Sequence, residues 1–378
     1  MALLRTFAGG MIAVCMLSAC DDSEPAQTGG SGPAPTPSSS SGGTPPGVAA
    51  CAEGASDIAV ASEDLNGYPP YAVESCSLVY VSTAGDLVLR DLATRAEEVV
   101  ARAPERPRRP AMSKELVVWE AEERGARVVR VLPRAPRGEA YTIVGAFAMA
   151  GEPRVKNDAI VFTAWGSTIE RSDSDVWLHV AGTRETKLAI GGAGQQRFAD
   201  VSEKVIVATD FSEDPDGVYD GSGTDLADLV VIDRATGQIT RRAAPGKQAF
   251  PMLGDGDLLA YLEWSTVHPE PKLVAYDLKV GPLFGQPSAD RLVANVTFMS
   301  TEYARPAVSG GMLEWVANPD GRTALYRAPL DGSAAPLRVG GLDDLQLFAP
   351  ALSSGFTVLA TSRRGVGAVE PKLRGLAR

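Results

Sequence analysis

Histidine is nearly absent from this sequence, with only His179 and His268 among 378 residues. Imidazole is the side chain best suited to general acid and base work near neutral pH, so any Ser-His-Asp or Cys-His arrangement would have to rest on one of these two. His179 stands in the apolar run VWLHV, which suits a structural histidine, and His268 precedes Pro269, which suits a loop. No G-x-S-x-G nucleophile turn occurs, and GGAGQQ at Gly191 to Gln196 lacks the lysine of a phosphate-binding loop. Four cysteines and two histidines are too few for a zinc site once their places along the chain are considered. Basic residues are the minority, 36 against 47 acids for a net charge of −11, which excludes binding to nucleic acid or to anionic lipid by bulk charge. The basic run Arg102 to Arg109 is broken by proline and glutamate and reads as a solvated loop.

What is present begins with the amino terminus. MALLRTFAGGMIAVCMLSAC holds one arginine, an apolar core too short to span a bilayer, and small residues before Cys20. Leu17, Ser18, Ala19 and Cys20 resemble a lipobox, and that resemblance implies removal of residues 1–19 and acylation of Cys20. Residues 20–50 are dominated by Gly, Ser, Pro and Thr, which bury too little apolar surface to offset chain entropy. They read as a lipid-anchored disordered linker. The expected address is the cell envelope, anchored to the inner or outer membrane with the folded domain outside the cytoplasm. Cys51 and Cys76 are then the thiols left over, and in an oxidising compartment they are expected to form a disulfide, two separately buried thiols being the alternative.

From residue 51 to 378 the pattern is short apolar runs of strand composition, such as LVVWEA, AIVFTA, LVVID, LLAYLEW and FTVLAT, separated by turn signals. An opening element recurs at Pro110, Pro153, Ala199, Pro251, Pro306 and Pro350, each time followed by a small polar turn and an apolar strand. A second unit, a strand ending in aspartate and then a Thr-Gly-like turn, recurs at Leu87 to Arg95, Leu229 to Gly237 and Leu273 to Gly281. The period fits one four-stranded blade, and radial stacking hides both faces of such a sheet. The expected fold is all-β, a single propeller with seven blades preferred and six as the alternative. Asp57 to Ala61 (DIAVA) is placed to complete the short last blade and close the ring.

The opening elements resemble degenerate copies of the P-x-x-S-P-D-G repeat of TolB-like and related WD40-like propellers, and the D-x-x-T-G turn is similar to the one before the last strand of their blades. The resemblance covers about residues 57–372. It implies the propeller fold, and it carries over no partner, because the separate amino-terminal domain of TolB has no counterpart here.

Two groups of acids stand out. Asp214, Asp216 and Asp220, with Gly217 among them, have the spacing of an oxygen-ligand calcium loop inside an acidic insertion running from Asp210 to Asp228. Calcium is the one cofactor the sequence suggests, and an exposed acidic hairpin tip is the plainer alternative. A second acidic insertion, Thr168 to Asp175, is placed to line the same end of the ring. Glu263 and Glu314 stand beside Trp264 and Trp315 in equivalent strands, where alternation directs them to blade surfaces. Taken together, these features point to a monomeric, non-catalytic binding or scaffolding module for an envelope protein or polymer, with membrane contact through the anchor and no nucleic acid. The alternative is a glycan-directed hydrolase or lyase with carboxylates in a central channel.

Overall fold

A computed structural model describes residues 46–378, except 66, 168–172, 220–224, 255, 265–273, 299–304, 319–320 and 364–370. The leader, Cys20 and most of the spacer lie outside the described residues. A helix, Pro46–Gly54, takes in Pro46 to Ala50, which composition assigned to the spacer.

The strands after it form seven antiparallel sheets, six of four strands and one of three, each built from consecutive strands of the chain. The first strand of each sheet is the innermost, and each inner strand touches the next around the ring until the last meets the first. The three-stranded sheet is the seventh blade, Leu345–Ser353, Phe356–Arg363 and Lys372–Ala377. Its outer edge is taken by the segment around Ile58. Asp57 N donates to Leu373 O at 2.9 Å, Leu373 N to Ile58 O at 2.8 Å, and Val60 N to Pro371 O at 3.0 Å. DIAVA therefore closes the ring as its composition suggested, and the seven-blade count holds over six.

The repeated proline has a physical reason. Inner strands in blades 2, 3, 4, 5 and 7 carry a register shift beside the opening residue. In four of them the residue just before it has a positive φ: Arg109, Glu152, Phe198 and Phe250. Such a bulge lifts the next residue out of the hydrogen-bonded ladder, a place where proline's missing N–H is tolerated. The turn after the opening element is tied by serine. Ser113 Oγ accepts from Leu116 N at 3.2 Å, and Ser202 Oγ from Val205 N at 3.1 Å.

Two of the three D-x-x-T turns form as expected. Asp91 Oδ1 accepts from Thr94 N at 2.7 Å and Asp233 Oδ1 from Thr236 N at 2.8 Å, which lowers both carboxyls below their ordinary range. Gly237 supplies the positive φ in one, and Arg95 adopts it in the other. The third copy does not turn. Asp277 sits inside the strand Val274–Pro282, pairing with Glu263 and Asn295. The threonine that would donate to the aspartate is replaced by Val280, whose branched side chain favours continuing the strand.

Candidate functional site

After closing the seventh blade, the chain turns inward and crosses the axis before starting the first blade at Tyr71. Leu65 O accepts from Ala349 N of blade 7 at 3.2 Å. Tyr68 then meets inner-strand residues from several blades at once. The guanidinium carbons of Arg109, Arg154 and Arg305 lie 4.9, 5.0 and 5.3 Å from its ring centroid, and Phe198 stacks at 6.4 Å. A ring shared by blades 2, 3 and 4 and the start of blade 6 stands on the axis, so Tyr68 plugs the channel. Burial, and then Glu152, pushes its phenol up to about 12 against the pull of the three arginines.

On one side of the plug the interior is filled. Phe198, Phe211, Tyr219 and Phe250 pack edge to face or tilted, with Phe198 and Phe250 centroids 4.3 Å apart. Around the plug runs a chain of buried ion pairs linking neighbouring blades. Glu120 is fully buried and meets Arg108 at 3.0 Å and Arg109 at 3.2 Å. Glu152, 1 % exposed, pairs with Arg197, stands 3.7 Å from Arg109, and accepts from Thr163 Oγ1 at 2.9 Å. Burial alone would raise the Glu152 carboxyl, but Arg197 and Arg109 outweigh it and hold it at about 2. The basic run Arg102 to Arg109 is thus only partly a solvated loop. Arg102 and Arg106 are exposed, whereas Arg108 and Arg109 belong to an inner strand, and their charge is drawn inward by Glu120.

On the other side the channel stays open as a cavity of about 550 Å³, lined by the ends of the inner strands from Glu74 to Leu352. Arg154, Asp200 and Arg305 lie in its wall. None of these was singled out from the sequence. A signal existed, because Arg109, Glu152 and Arg305 each stand directly before an opening proline and Arg154 directly after one, on or just before the innermost strands.

The residues that were singled out lie elsewhere. Cys51 and Cys76 are joined in a disulfide with their Cα atoms 5.3 Å apart, tying the helix to the first turn of blade 1. His179 lies between two hydroxyls, Tyr141 Oη at 3.0 Å and Thr186 Oγ1 at 2.8 Å, and burial followed by Arg184 lowers it to about 4. His268 and 168–172 of the second acidic insertion lie outside the described residues. Glu263 and Glu314 occupy second strands, outside the channel lining, and both are buried. Glu263 pairs with Lys279 at 2.5 Å, and Glu314 pairs with Arg327 at 2.9 Å while accepting from Thr357 of the next blade. In the acidic insertion, Asp214 accepts from Asp216 N and Leu226 N, and Asp216 from Val218 N. Asp220 lies outside the described residues. Arg241 meets Asp210, Glu213 and Asp228, and Lys247 meets Asp225, so internal cations relieve much of the crowding. Among the described residues no three His, Cys, Asp or Glu side chains converge as a metal site.

No protein-family model matches the sequence, and no curated protein matches it. Solved structures do. The β-propeller domain of the Trilobed protease from Pyrococcus furiosus is similar at 10 % identity and a TM-score of 0.56, over 85 % of this chain and 93 % of that one. An oligogalacturonate lyase in complex with manganese is similar at 15 % identity and a TM-score of 0.51, over 70 % of this chain and 77 % of that one. A putative TolB from Agrobacterium tumefaciens aligns at 13 % identity and a TM-score of 0.42, over 72 % and 88 % of the two chains. At these identities the likeness to the first two is one of fold, and by its seven sheets this chain is a β-propeller, the fold that the resemblance of its repeats implied.

Proposed function

We propose that this chain is a lipoprotein of the cell envelope, anchored through Cys20, whose propeller is a monomeric binding module with the open end of its channel as the ligand face. The observation that carries this reading is the state of the buried acids. Glu120, Glu152, Glu263 and Glu314 are each held in an ion pair with an arginine or lysine. A glycoside hydrolase needs two carboxylates facing one bond. Glu263 and Glu314 lie in different blades off the channel, and of the acids in the channel wall, Glu74, Asp200 and Glu203, Asp200 is engaged by the backbone N–H groups of Val201 and Leu253. What the channel offers is a concave, mixed polar and apolar recess on a rigid ring, which suits binding. Capture of a stable partner from envelope membranes by the full chain supports this reading, and turnover of a glycan or peptide by the purified chain overturns it. Loss of membrane association in Cys20→Ser tests the anchor.

Calcium at Asp214, Asp216 and Asp220 is a separate proposal resting on their spacing. A chelator that leaves the melting temperature unchanged removes it.

A further inference from the structure

Buried cations in this protein are, as a rule, matched. Arg109 and Arg197 have Glu120 and Glu152, Arg242 has Asp290, and Arg327 has Glu314. Arg305 of the channel wall, buried like Arg242, has no acidic partner among the described residues, and the half-buried Arg154 in the same wall has none either. Arg305 is 4 % exposed. Its Nη2 donates to Pro251 O at 3.1 Å, while its Nη1 is buried without an acceptor. Arg154 is half-buried and makes no hydrogen bond or ion pair among the described residues, its one polar contact being the face of Tyr68 at 5.0 Å. Burial, reinforced by the charge of Arg305, brings its guanidinium down to about 10. Of the two nearby acids, Glu152 is engaged by Arg197, and Asp200 accepts from Val201 N at 3.0 Å and Leu253 N at 2.8 Å and forms no ion pair among the described residues.

Leaving the buried guanidinium of Arg305 short of an acceptor, with a second unmatched guanidinium in the same wall, is unfavourable. Tyr68 offsets part of this, since its ring face attracts cations. The donors that remain point toward one chemistry, because guanidinium forks match carboxylate and phosphate oxygens and gain most where water is sparse. The described lining holds four bases, Arg154, Lys156, Lys204 and Arg305, and three acids, Glu74, Asp200 and Glu203. Lys204 pairs with Asp257 outside that lining, so the attraction for an anion rests on Arg154 and Arg305 themselves rather than on net charge.

We infer that the channel floor is an oxyanion site, in which Arg154 and Arg305 share a carboxylate or phosphoryl group of a small ligand entering from the open end. This inference rests on the binding-module reading and names the ligand chemistry of that same face. A volume of about 550 Å³ admits a molecule of metabolite size.

The test is calorimetric titration of the full chain with inorganic phosphate in one arm and citrate in the other. Saturable binding of one or both is expected, and whichever binds more tightly identifies the group. Arg154→Met and Arg305→Lys should weaken it by about tenfold or more. Arg95→Met removes a positive charge from an exposed ion pair elsewhere and should change nothing. Arg154→Met is the decisive variant, since that side chain's one polar contact is the face of Tyr68, and a melting curve checks that the variant folds with the plug in place. Absence of saturable binding to both anions, or equal binding by Arg154→Met and the parent, overturns the inference. The outcomes separate from those of the broader reading. Failure of the anions with capture of a membrane partner retained sinks the oxyanion site alone, whereas anion binding accompanied by glycan turnover sinks the non-catalytic reading and leaves the site standing.

Discussion

Tyr68 and Arg305 meet on the axis of the ring, with the guanidinium 5.3 Å from the ring centroid. One belongs to the segment that precedes the first blade and the other to the start of the sixth, so the contact makes the amino-terminal crossing part of the core. The same segment closes the seventh blade through Asp57, Ile58 and Val60. Closure and plugging are therefore one structural event.

Tyr68→Ala should destabilise the chain by about 3–5 kcal/mol, the range for removing a buried aromatic ring. It also uncovers three guanidiniums. Tyr68→Phe removes a buried hydroxyl that has no partner and should be close to neutral. Urea unfolding of both variants checks this, and equal losses would contradict the role given to the ring.

The disulfide between Cys51 and Cys76 joins the helix before the closing strand to blade 1 across a separation of 25 residues. Chain entropy gives such a loop about 3 kcal/mol of stabilisation. A Cys76→Ser chain should therefore unfold at lower urea concentration, and reductant should shift the parent to the same midpoint while leaving the variant unmoved.

Two titrations set the acid limit of stability. His179 is lowered to about 4, so below its ordinary value of ~6.5 the unfolded chain takes up this proton first, and stability declines as pH falls from ~6.5 to 4. Glu152 is held at about 2, so its contribution is complete above ~4.3 and is lost as pH falls from there toward 2. Plots of urea midpoint against pH should show His179→Gln flattening the upper window and Glu152→Gln the lower. Slopes matching the parent in both windows would show that neither group is perturbed as described.

Arg242 and Asp290 form an ion pair that is 1 % and 0 % exposed, where Asp290 also accepts from Tyr261 Oη at 2.7 Å. Arg242→Ala leaves a carboxylate buried between blades 4 and 5 and should cost about 3–5 kcal/mol. Replacing both partners with apolar residues should recover much of that loss, as a double-mutant comparison of unfolding free energies would show.

The period of the propeller was legible because each repeat carries local chemistry: a proline at a bulge, a serine tying a turn, an aspartate capping a hairpin. The closing strand at DIAVA and the pairing of Cys51 with Cys76 were legible for a similar reason, since each answers a deficit visible in the sequence. The channel was harder to see. Tyr68 lies between repeats, and no periodicity reveals that its ring stands on an axis. Arg109, Glu152 and Arg197 belong to three different blades and meet only when those blades close, whereas the acids of the 210–228 insertion are conspicuous in the sequence itself. The third D-x-x unit misled because its strand matched the pattern while the donor at Val280 was missing.

A crystal structure of the chain grown in phosphate tests the central claim most directly. Expected are Tyr68 on the axis, the segment around Ile58 paired with Leu373, and phosphate density between Arg154 and Arg305. A channel open from end to end, or Asp200 swung into an ion pair that consumes Arg154, would contradict it.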